Sequence, residues 1–220
     1  MVSWWGKLVF WVARANLWFW AKLLLRLRVS GQQHVPCTGP TLIVSNHVSH
    51  LDPPLVGLAV PRMVFHMAKK ELFVLPALMW FMRTIGTIMV DRGQGKQALI
   101  DAVEYLRNDA CVIIFPEGTR SPTGVLSRGH SGAIVIAARS NCTIVPAAIM
   151  GSEKAMTKGS KLLKLVPVSV RFGEPYTIDY TGDPDDIPRE LLRRETYKMM
   201  QRIEELLPPE MRPDGESRRS

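Results

Sequence analysis

Short apolar runs rich in β-branched residues alternate along this chain with segments of helical periodicity, and this alternation restricts the possible folds more than any other feature. Residues 41–44 (TLIV) show no alternation of polar and apolar positions, which is typical of a strand that is buried on both faces of a sheet. Such strands, when they alternate with helices, form a mostly parallel sheet flanked by helices. The sequence therefore predicts an α/β fold.

The same patterns predict the separate elements and the domain organisation. The predicted strands are 41–44, 64–68, 87–90, 111–115, 143–145, 147–149 and 166–172. The predicted helices are 52–60, 72–81, 96–107, 131–139 and 188–206. Residues 29–40 are polar with glycine and proline, which indicates a linker or a short edge strand. We expect an N-terminal helical motif over 1–30, a main domain over 31–207 and a disordered tail over 208–220.

The N-terminal segment combines basic and aromatic residues. Residues 1–28 hold five tryptophans and five lysines or arginines, and the first acidic residue of the chain is Asp52. Its longest charge-free runs, 8–13 and 15–21, are far shorter than the ~18 consecutive apolar residues that a spanning helix needs. Tryptophan rings favour the headgroup level of a bilayer. We predict an amphipathic helix that lies in a membrane interface; the alternative is a tryptophan-rich helix that simply packs on the domain.

The net charge favours anionic partners without identifying them. It is +8, with 20 basic and 10 acidic residues over 1–180 and 8 basic and 10 acidic residues over 181–220. A basic surface attracts nucleic acid, anionic lipid and phosphorylated carriers alike. The tryptophan-rich basic segment decides for a membrane, so we expect no nucleic-acid partner. Three cysteines without a C-x-x-C pair predict a reducing compartment and neither a disulfide framework nor a zinc site.

A first polar motif, NHVSHLD, follows the predicted strand 41–44, where α/β sheets expose side chains to a ligand crevice. Histidine titrates at about pH 6.5, so the imidazole of His47 can take a proton from an attacking hydroxyl at neutral pH. Asp52 could hold the other ring nitrogen, although it could also cap the following helix. Five residues turn about 140° on a regular helix, so the two side chains meet only if the chain bends between them.

Two further motifs also follow predicted strands. In FPEGTRS, Arg120 offers a planar set of donors for a phosphate, Glu117 can accept hydrogen bonds from glycerol hydroxyls, and Gly118 permits close approach of a ligand to the backbone. The alternative is that Glu117 and Arg120 pair with each other. In GTIMVDR, Arg92 is a candidate second phosphate ligand, or a partner of its neighbour Asp91.

The ordered set NHVSHLD, GTIMVDR, FPEGTRS and VPAAI resembles the four sequence blocks of the glycerolipid acyltransferase superfamily, above all of its bacterial 1-acylglycerol-3-phosphate acyltransferases. The resemblance covers roughly residues 30–175. It implies that His47 and Asp52 form the catalytic pair and that Pro146 shapes the acyl-donor side. The residues that it implies for the phosphorylated acceptor are Arg92, Glu117, Gly118, Thr119 and Arg120. His50 is a second histidine inside the first block, but only His47 follows Asn46 at the required distance from Asp52.

The resemblance also implies a reaction and a location. The expected reaction moves a fatty acyl group from acyl-CoA or acyl carrier protein to the sn-2 hydroxyl of 1-acylglycerol 3-phosphate, which gives phosphatidic acid. No metal and no cofactor are expected, since the thioester is a co-substrate. The expected location is the cytoplasmic face of the cell membrane, with the protein peripheral or monotopic. The alternatives are another acceptor (glycerol 3-phosphate or a different lysolipid), a non-catalytic module that binds anionic lipid, and a hydrolase.

Overall fold

The computed structural model describes residues 4–69, 87–90, 95–156 and 164–214. Two predictions lie outside these ranges, the helix over 72–81 and the phosphate ligand Arg92. The described strands are β1 (Arg28–Ser30), β2 (Thr41–Ser45), β3 (Val64–Lys69), β4 (Thr87–Val90), β5 (Cys111–Ile114), β6 (Thr143–Met150) and β7 (Ser169–Phe172). The described helices are α1 (Trp4–Leu24), α2 (Asp52–Ala59), α3 (Gly95–Arg107), α4 (Gly132–Ser140), α5 (Ser152–Ala155) and α6 (Arg189–Leu206).

All seven described strands form one mixed sheet in the order β1-β7-β6-β2-β5-β3-β4. Strands β2 to β6 run parallel to one another, whereas β7 pairs antiparallel with β6 and parallel with β1. The prediction of a mostly parallel sheet flanked by helices is confirmed. Segment 29–40 contributes to the short edge strand β1, one of the two structures that its composition allowed.

The sheet separates two apolar layers, and successive residues of its central strand enter opposite ones. Leu42 and Val44 of β2 join the layer that contains residues of α3, α4 and α6, whereas Ile43 joins the layer that contains residues of α1 and α2. Because both faces of the sheet are covered by apolar layers, residues on both sides of the strand are apolar, and polar and apolar positions do not alternate. This explains why short β-branched runs marked the strands in the sequence.

Strand β6 runs through Pro146, although the sequence pattern predicts two strands that are separated at that residue. The N–H and C=O of one strand residue point towards the same neighbouring strand, and the carbonyl oxygen of Pro146 accepts from Gly173 N at 2.8 Å. Strand β7 ends one residue earlier, at Phe172, which pairs with Ala147. The N–H that proline lacks would therefore point to the β7 side of β6, at a position where β7 has already ended. The pairing of β6 with β2 on the other side stays intact.

Helix α1 packs on the domain through its C-terminal half. Ala21 and Leu25 are buried against the α2 side of the sheet, and Arg14 donates to the carbonyl oxygen of Gly57 at 3.1 Å. Arg14, one of the five basic residues of the N-terminal segment, thus faces α2. Among the described residues, no helix combines the length and the apolarity that crossing a membrane requires.

The structure differs from the predicted disordered tail at its first residues. Residues Pro209–Met211 form a 3-10 turn, and the side chain of Met211 is buried in the layer with α6. The carbonyl oxygen of Met211 accepts from Leu126 N at 2.9 Å. An apolar side chain and a strand-like backbone contact hold this segment, which composition alone does not reveal.

Candidate active site

Three neighbouring strands deliver polar residues to the same edge of the sheet. Strand β2 lies between β5 and β6, and all three run in the same direction. Their carboxyl ends lead into His47, Glu117 and Ser152 respectively. Ligands of open α/β sheets bind at this kind of edge, so the candidate site is placed by topology before any side chain is considered.

His47 and Asp52 meet at this edge. The Nδ1 atom of His47 lies 2.8 Å from Oδ2 of Asp52. A carboxylate can only accept, so Nδ1 carries the hydrogen and Nε2 is the acceptor of the neutral ring. The His47 side chain keeps 17% of its surface exposed, whereas Asp52 is completely buried. The pair therefore has an accessible base at one end and a buried charge at the other, as general-base catalysis requires.

The bend that brings the two residues together is held by Asp52 itself. Its Oδ2 atom also accepts from the backbone N–H groups of Val48 at 2.6 Å and Ser49 at 2.7 Å. Its Oδ1 atom accepts from the Ser152 hydroxyl at 2.6 Å. A buried carboxylate is tolerated only when hydrogen bonds replace its water. Asp52 is the first residue of α2 but bonds to the chain before it, so the alternative role as a helix cap is not what the structure shows.

Neighbouring residues fix the histidine ring and its backbone. The ring stacks on Phe115, the residue after β5, with centroids 4.4 Å apart and planes at 27°. The carbonyl oxygen of His47 accepts from Ser121 N at 2.8 Å. Asn46, buried just before His47, donates its amide to Ile149 O at 3.0 Å and accepts from Ile149 N at 2.8 Å. These contacts tie the His47 loop to the ends of β5 and β6.

Glu117 has a different place from the one that its motif predicts. Its Oε1 accepts from His47 N at 2.7 Å and its Oε2 from Ser127 N at 2.9 Å, and only 4% of the residue is exposed. Burial raises the pKa of this carboxyl, although the two backbone hydrogen bonds act in the opposite direction. The structure therefore places Glu117 under the His47 loop, with both carboxylate oxygens bonded to backbone N–H groups, and Glu117 forms no ion pair with Arg120.

The rest of the FPEGTRS turn faces outwards. Gly118 has φ +68° and is exposed, as is Thr119, and a Cβ at position 118 would lie 3.3 Å from the ring of His130. Arg120 is half-buried, and no described residue forms an ion pair or hydrogen bond with it. Burial, followed by the positive charge of Arg120, lowers the pKa of His50. Arg120 therefore lies near the His47 loop, with a guanidinium that pairs with no residue of the described ranges.

Pro146 does not join these residues. It is buried within β6, where it pairs with Val44, and its ring approaches the Gly173 position. Three residues further along the strand, Ile149 reaches the level of Asn46. Any influence of Pro146 on a bound ligand has to act through the sheet.

Sequence reasoning missed Ser152 and the bracing roles of Asn46 and Ser127. Ser152 carries the same signal that revealed His47 and Glu117, because it is a polar residue directly beyond the end of a buried apolar strand. The prediction broke this strand at Pro146 and ended its second part at 149, and the serine beyond it received no role.

Comparisons with known proteins identify the family of the chain. A family model described as Acyltransferase matches residues 26–150. The 1-acyl-sn-glycerol-3-phosphate acyltransferase of Bacillus subtilis is 31% identical over 193 residues, which cover 84% of this chain and 92% of that protein. The chloroplastic 1-acyl-sn-glycerol-3-phosphate acyltransferase LPAT1 of Arabidopsis thaliana is 31% identical over 150 residues, which cover 64% of this chain.

A solved structure has the same fold. The crystal structure of the 1-acyl-sn-glycerophosphate acyltransferase PlsC from Thermotoga maritima matches 93% of this chain and 89% of its own with a TM-score of 0.68 and 24% identity. The matched region spans 42% of the Arabidopsis protein and 40% of BAT2 from Brassica napus. The chain thus spans about two fifths of the length of these chloroplast relatives, and nearly all of the bacterial ones.

Proposed function

Because the chain belongs to the glycerolipid acyltransferase family, we propose that it transfers a fatty acyl group from a thioester to the sn-2 hydroxyl of 1-acylglycerol 3-phosphate, which gives phosphatidic acid. One observation carries the proposal: the His47 ring, whose side chain is 17% exposed, is held through Nδ1 by the buried carboxylate of Asp52, 2.8 Å away. This leaves Nε2 at the open edge of the sheet as a base. The names of the bacterial and chloroplast relatives suggest the acceptor.

The proposed reaction is a direct transfer. Nε2 of His47 takes the proton of the acceptor hydroxyl while its oxygen attacks the thioester carbonyl carbon, so that a C–O bond forms. The C–S bond then breaks, the thiolate leaves with the electron pair, and the imidazolium returns the proton to the sulfur. Asp52 stabilises the imidazolium between these steps and fixes the ring orientation, as the aspartate of a hydrolase triad does. The products are an ester and a free thiol.

Arg120 is the proposed ligand of the acceptor phosphate. Its guanidinium has no partner among the described residues and lies close enough to His50 to lower the pKa of that ring. A guanidinium binds a phosphate through paired hydrogen bonds. Arg92 remains a proposed second ligand from its sequence motif. The proposed co-substrate is acyl-CoA or acyl carrier protein, and the proposed chemistry needs no metal or cofactor.

Helix α1 is the proposed membrane contact. Val12, Phe19 and Leu23 lie on one side of this helix and are 62%, 60% and 59% exposed. Exposed apolar side chains on a helix with tryptophans and basic residues favour the boundary between headgroups and acyl chains. We propose that the protein lies on the cytoplasmic face of the membrane as a peripheral or monotopic protein, where a lysophospholipid can enter the site laterally.

The decisive experiment measures thiol release and lipid product. Purified protein in detergent receives oleoyl-CoA, or oleoyl acyl carrier protein, with lysophosphatidic acid. Wild type, His47→Ala and the matched control His50→Ala are compared. Loss of the base should lower the rate by about 10²–10⁴-fold. The histidine that bonds to Asp52 is His47, so removal of His50 should leave the product rate within about threefold.

Each alternative gives a different result. Thiol release with free fatty acid and no acylated lipid would show a hydrolase. Product with glycerol 3-phosphate but not with lysophosphatidic acid would show that glycerol 3-phosphate is the acceptor. Binding of phosphatidic acid vesicles with no thiol release from either carrier would show a non-catalytic lipid-binding module. If His50→Ala loses the activity and His47→Ala keeps it, the assignment of the base is wrong.

A further inference from the structure

We propose that Ser152 is a positioning residue for the catalytic pair: its buried hydroxyl holds the free oxygen of Asp52, and thereby aims the carboxylate at His47. The proposal rests on the proposed function. The Ser152 hydroxyl donates to Oδ1 of Asp52 at 2.6 Å, and both residues are completely buried. Ser152 does not reach the reacting atoms, so any effect on the reaction has to pass through Asp52.

The two oxygens of Asp52 have unequal surroundings. Oδ2 accepts from His47, Val48 and Ser49, all in the loop that precedes α2. Among the described residues, Oδ1 accepts only from Ser152, which lies 100 positions away in the sequence. Without this hydroxyl, Oδ1 would be a buried charged oxygen with no partner among the described residues, and the carboxylate would be held through Oδ2 alone. Ser152 is thus the contact that holds the second oxygen of the carboxylate.

The chain delivers Ser152 to this position by specific local structure. The side-chain amide of Asn46 bonds in both directions with the backbone of Ile149, so the end of β6 is held level with the start of the His47 loop. Gly151 then adopts φ +88°, and a Cβ there would collide with the carbonyl oxygen of Pro167. The sharp turn at this glycine places Ser152 directly under Asp52 instead of continuing the strand.

The hydroxyl also sets the strength of the base. Its hydrogen points at the carboxylate and withdraws part of the negative charge from Oδ2. Removal of the hydroxyl makes Asp52 a stronger acceptor, so the imidazolium of His47 becomes more stable. The acid limb of the pH profile of kcat should therefore move to higher pH. A residue that merely filled space would lower stability without moving this limb.

The test compares Ser152→Ala with Ser152→Thr, which retains a hydroxyl, and with Ser45→Ala as matched control. Ser45 is an equally buried serine whose hydroxyl bonds to a backbone carbonyl, at 3.2 Å, and not to Asp52. We expect kcat of Ser152→Ala to fall about 10- to 100-fold, the usual effect of a lost hydrogen bond to a charged group. KM for both substrates should be unchanged, and Ser152→Thr should regain most of kcat.

A second measurement does not depend on activity. In the substrate-free protein, the proton on Nδ1 of His47 should give a far-downfield ¹H NMR resonance, because it is shared with a buried carboxylate. This resonance should shift or disappear in Ser152→Ala and stay in place in Ser45→Ala. It reports on the Ser152–Asp52–His47 chain even if threonine does not fit at position 152.

The outcomes separate the two proposals. If the wild type forms no acylated product, the proposed function fails, and the resonance still decides whether Ser152 positions the pair. If the wild type is active but Ser152→Ala retains both the resonance and the pH profile of kcat, the positioning role is overturned. A fall in kcat that Ser45→Ala shares equally would also overturn it, since any small buried serine would then serve.

Discussion

The carboxyl edge of the sheet and helix α1 depart from the usual burial of side chains in opposite directions. At the edge, Asp52 and Glu117 are charged groups with only 0% and 4% of their surface exposed. On α1, Phe19 and Leu23 are apolar groups with 60% and 59% exposed. The first region removes charges from water, and the second leaves apolar surface in it.

The difference lies in how each cost is met. Every carboxylate oxygen of Asp52 and Glu117 has a hydrogen-bond donor within the protein, so the edge is complete in the folded chain. The exposed face of α1 has no such compensation among the described residues, so its cost is met only when something covers it. Buried charged groups with hydrogen-bond partners are typical of an active site. Exposed apolar groups are typical of a surface that contacts a membrane or another protein.

The largest expected effect follows from removing the buried charge while its contacts are kept. In Asp52→Asn, the amide oxygen can still accept from His47, Val48 and Ser49, and the amide nitrogen can donate to the Ser152 oxygen. The fold should survive, but the imidazolium loses its counter-charge. We expect kcat for phosphatidic acid formation to fall by about 10³–10⁴-fold, with urea unfolding as the measure of structure. If the variant keeps most of its kcat, the hydrogen bonds of Asp52 stabilise the fold and do not contribute to the reaction.

A smaller effect is expected at Glu117, whose carboxylate bonds to the backbone of the His47 loop. In Glu117→Gln, the amide nitrogen must face one of the two backbone N–H groups, from His47 or Ser127, and one buried hydrogen bond is lost. The free energy of unfolding should fall by about 1–3 kcal/mol. The exposed Glu104→Gln on α3 is the control and should stay within about 0.5 kcal/mol of wild type. A raised KM for the acceptor with unchanged stability would instead restore the substrate-binding role that the motif suggested.

The same residue should make stability depend on pH. Burial raises the pKa of Glu117 above the ordinary glutamate value of 4.5, so the folded state binds this proton more tightly than the unfolded state does. Its contribution to stability is therefore fully present below that value and is lost as the pH rises through the raised pKa. Urea unfolding at several pH values should show the advantage of wild type over Glu117→Gln shrinking as the pH increases. An advantage that grows with pH would show that the backbone hydrogen bonds from His47 and Ser127 outweigh the effect of burial on this pKa.

Much of the edge could be predicted because parallel strands bring their ends together. Buried runs that end in NH and in FPEG were enough to bring His47 and Glu117 to one place, and the spacing to Asp52 already required a bend. The partners of Glu117 could not be predicted, since they are backbone N–H groups 70 and 10 residues away. Such contacts depend on how loops fold, which side-chain chemistry does not encode.

Pro146 and Ser152 show the same limit at the end of β6. Whether a proline interrupts a strand depends on which neighbour lacks a partner for its missing N–H, and here that follows from the antiparallel pairing with β7. A single sequence does not reveal where a neighbouring strand ends. Without the strand running through Pro146, nothing pointed to the serine that follows Gly151.

The smallest expected effect tests the other side of the comparison, on α1. The double change Phe19→Ser and Leu23→Ser removes two large exposed apolar groups, and should weaken binding to vesicles that contain anionic lipid by about 10-fold or more. The control Ile100→Ser removes an apolar group from α3 that is 51% exposed, and should bind vesicles as wild type does. Vesicle sedimentation measures both.

Unfolding of the same variants separates a membrane contact from a helix that merely packs on the domain. Phe19 and Leu23 point away from the buried positions Ala21 and Leu25, so their replacement should change the free energy of unfolding by no more than about 0.5 kcal/mol. If stability falls instead and vesicle binding is retained, the exposed face belongs to the domain, and α1 would then obey the same burial rule as the rest of the chain. Loss of binding at constant stability means that the face is completed only by lipid, in contrast to an edge that the protein completes by itself.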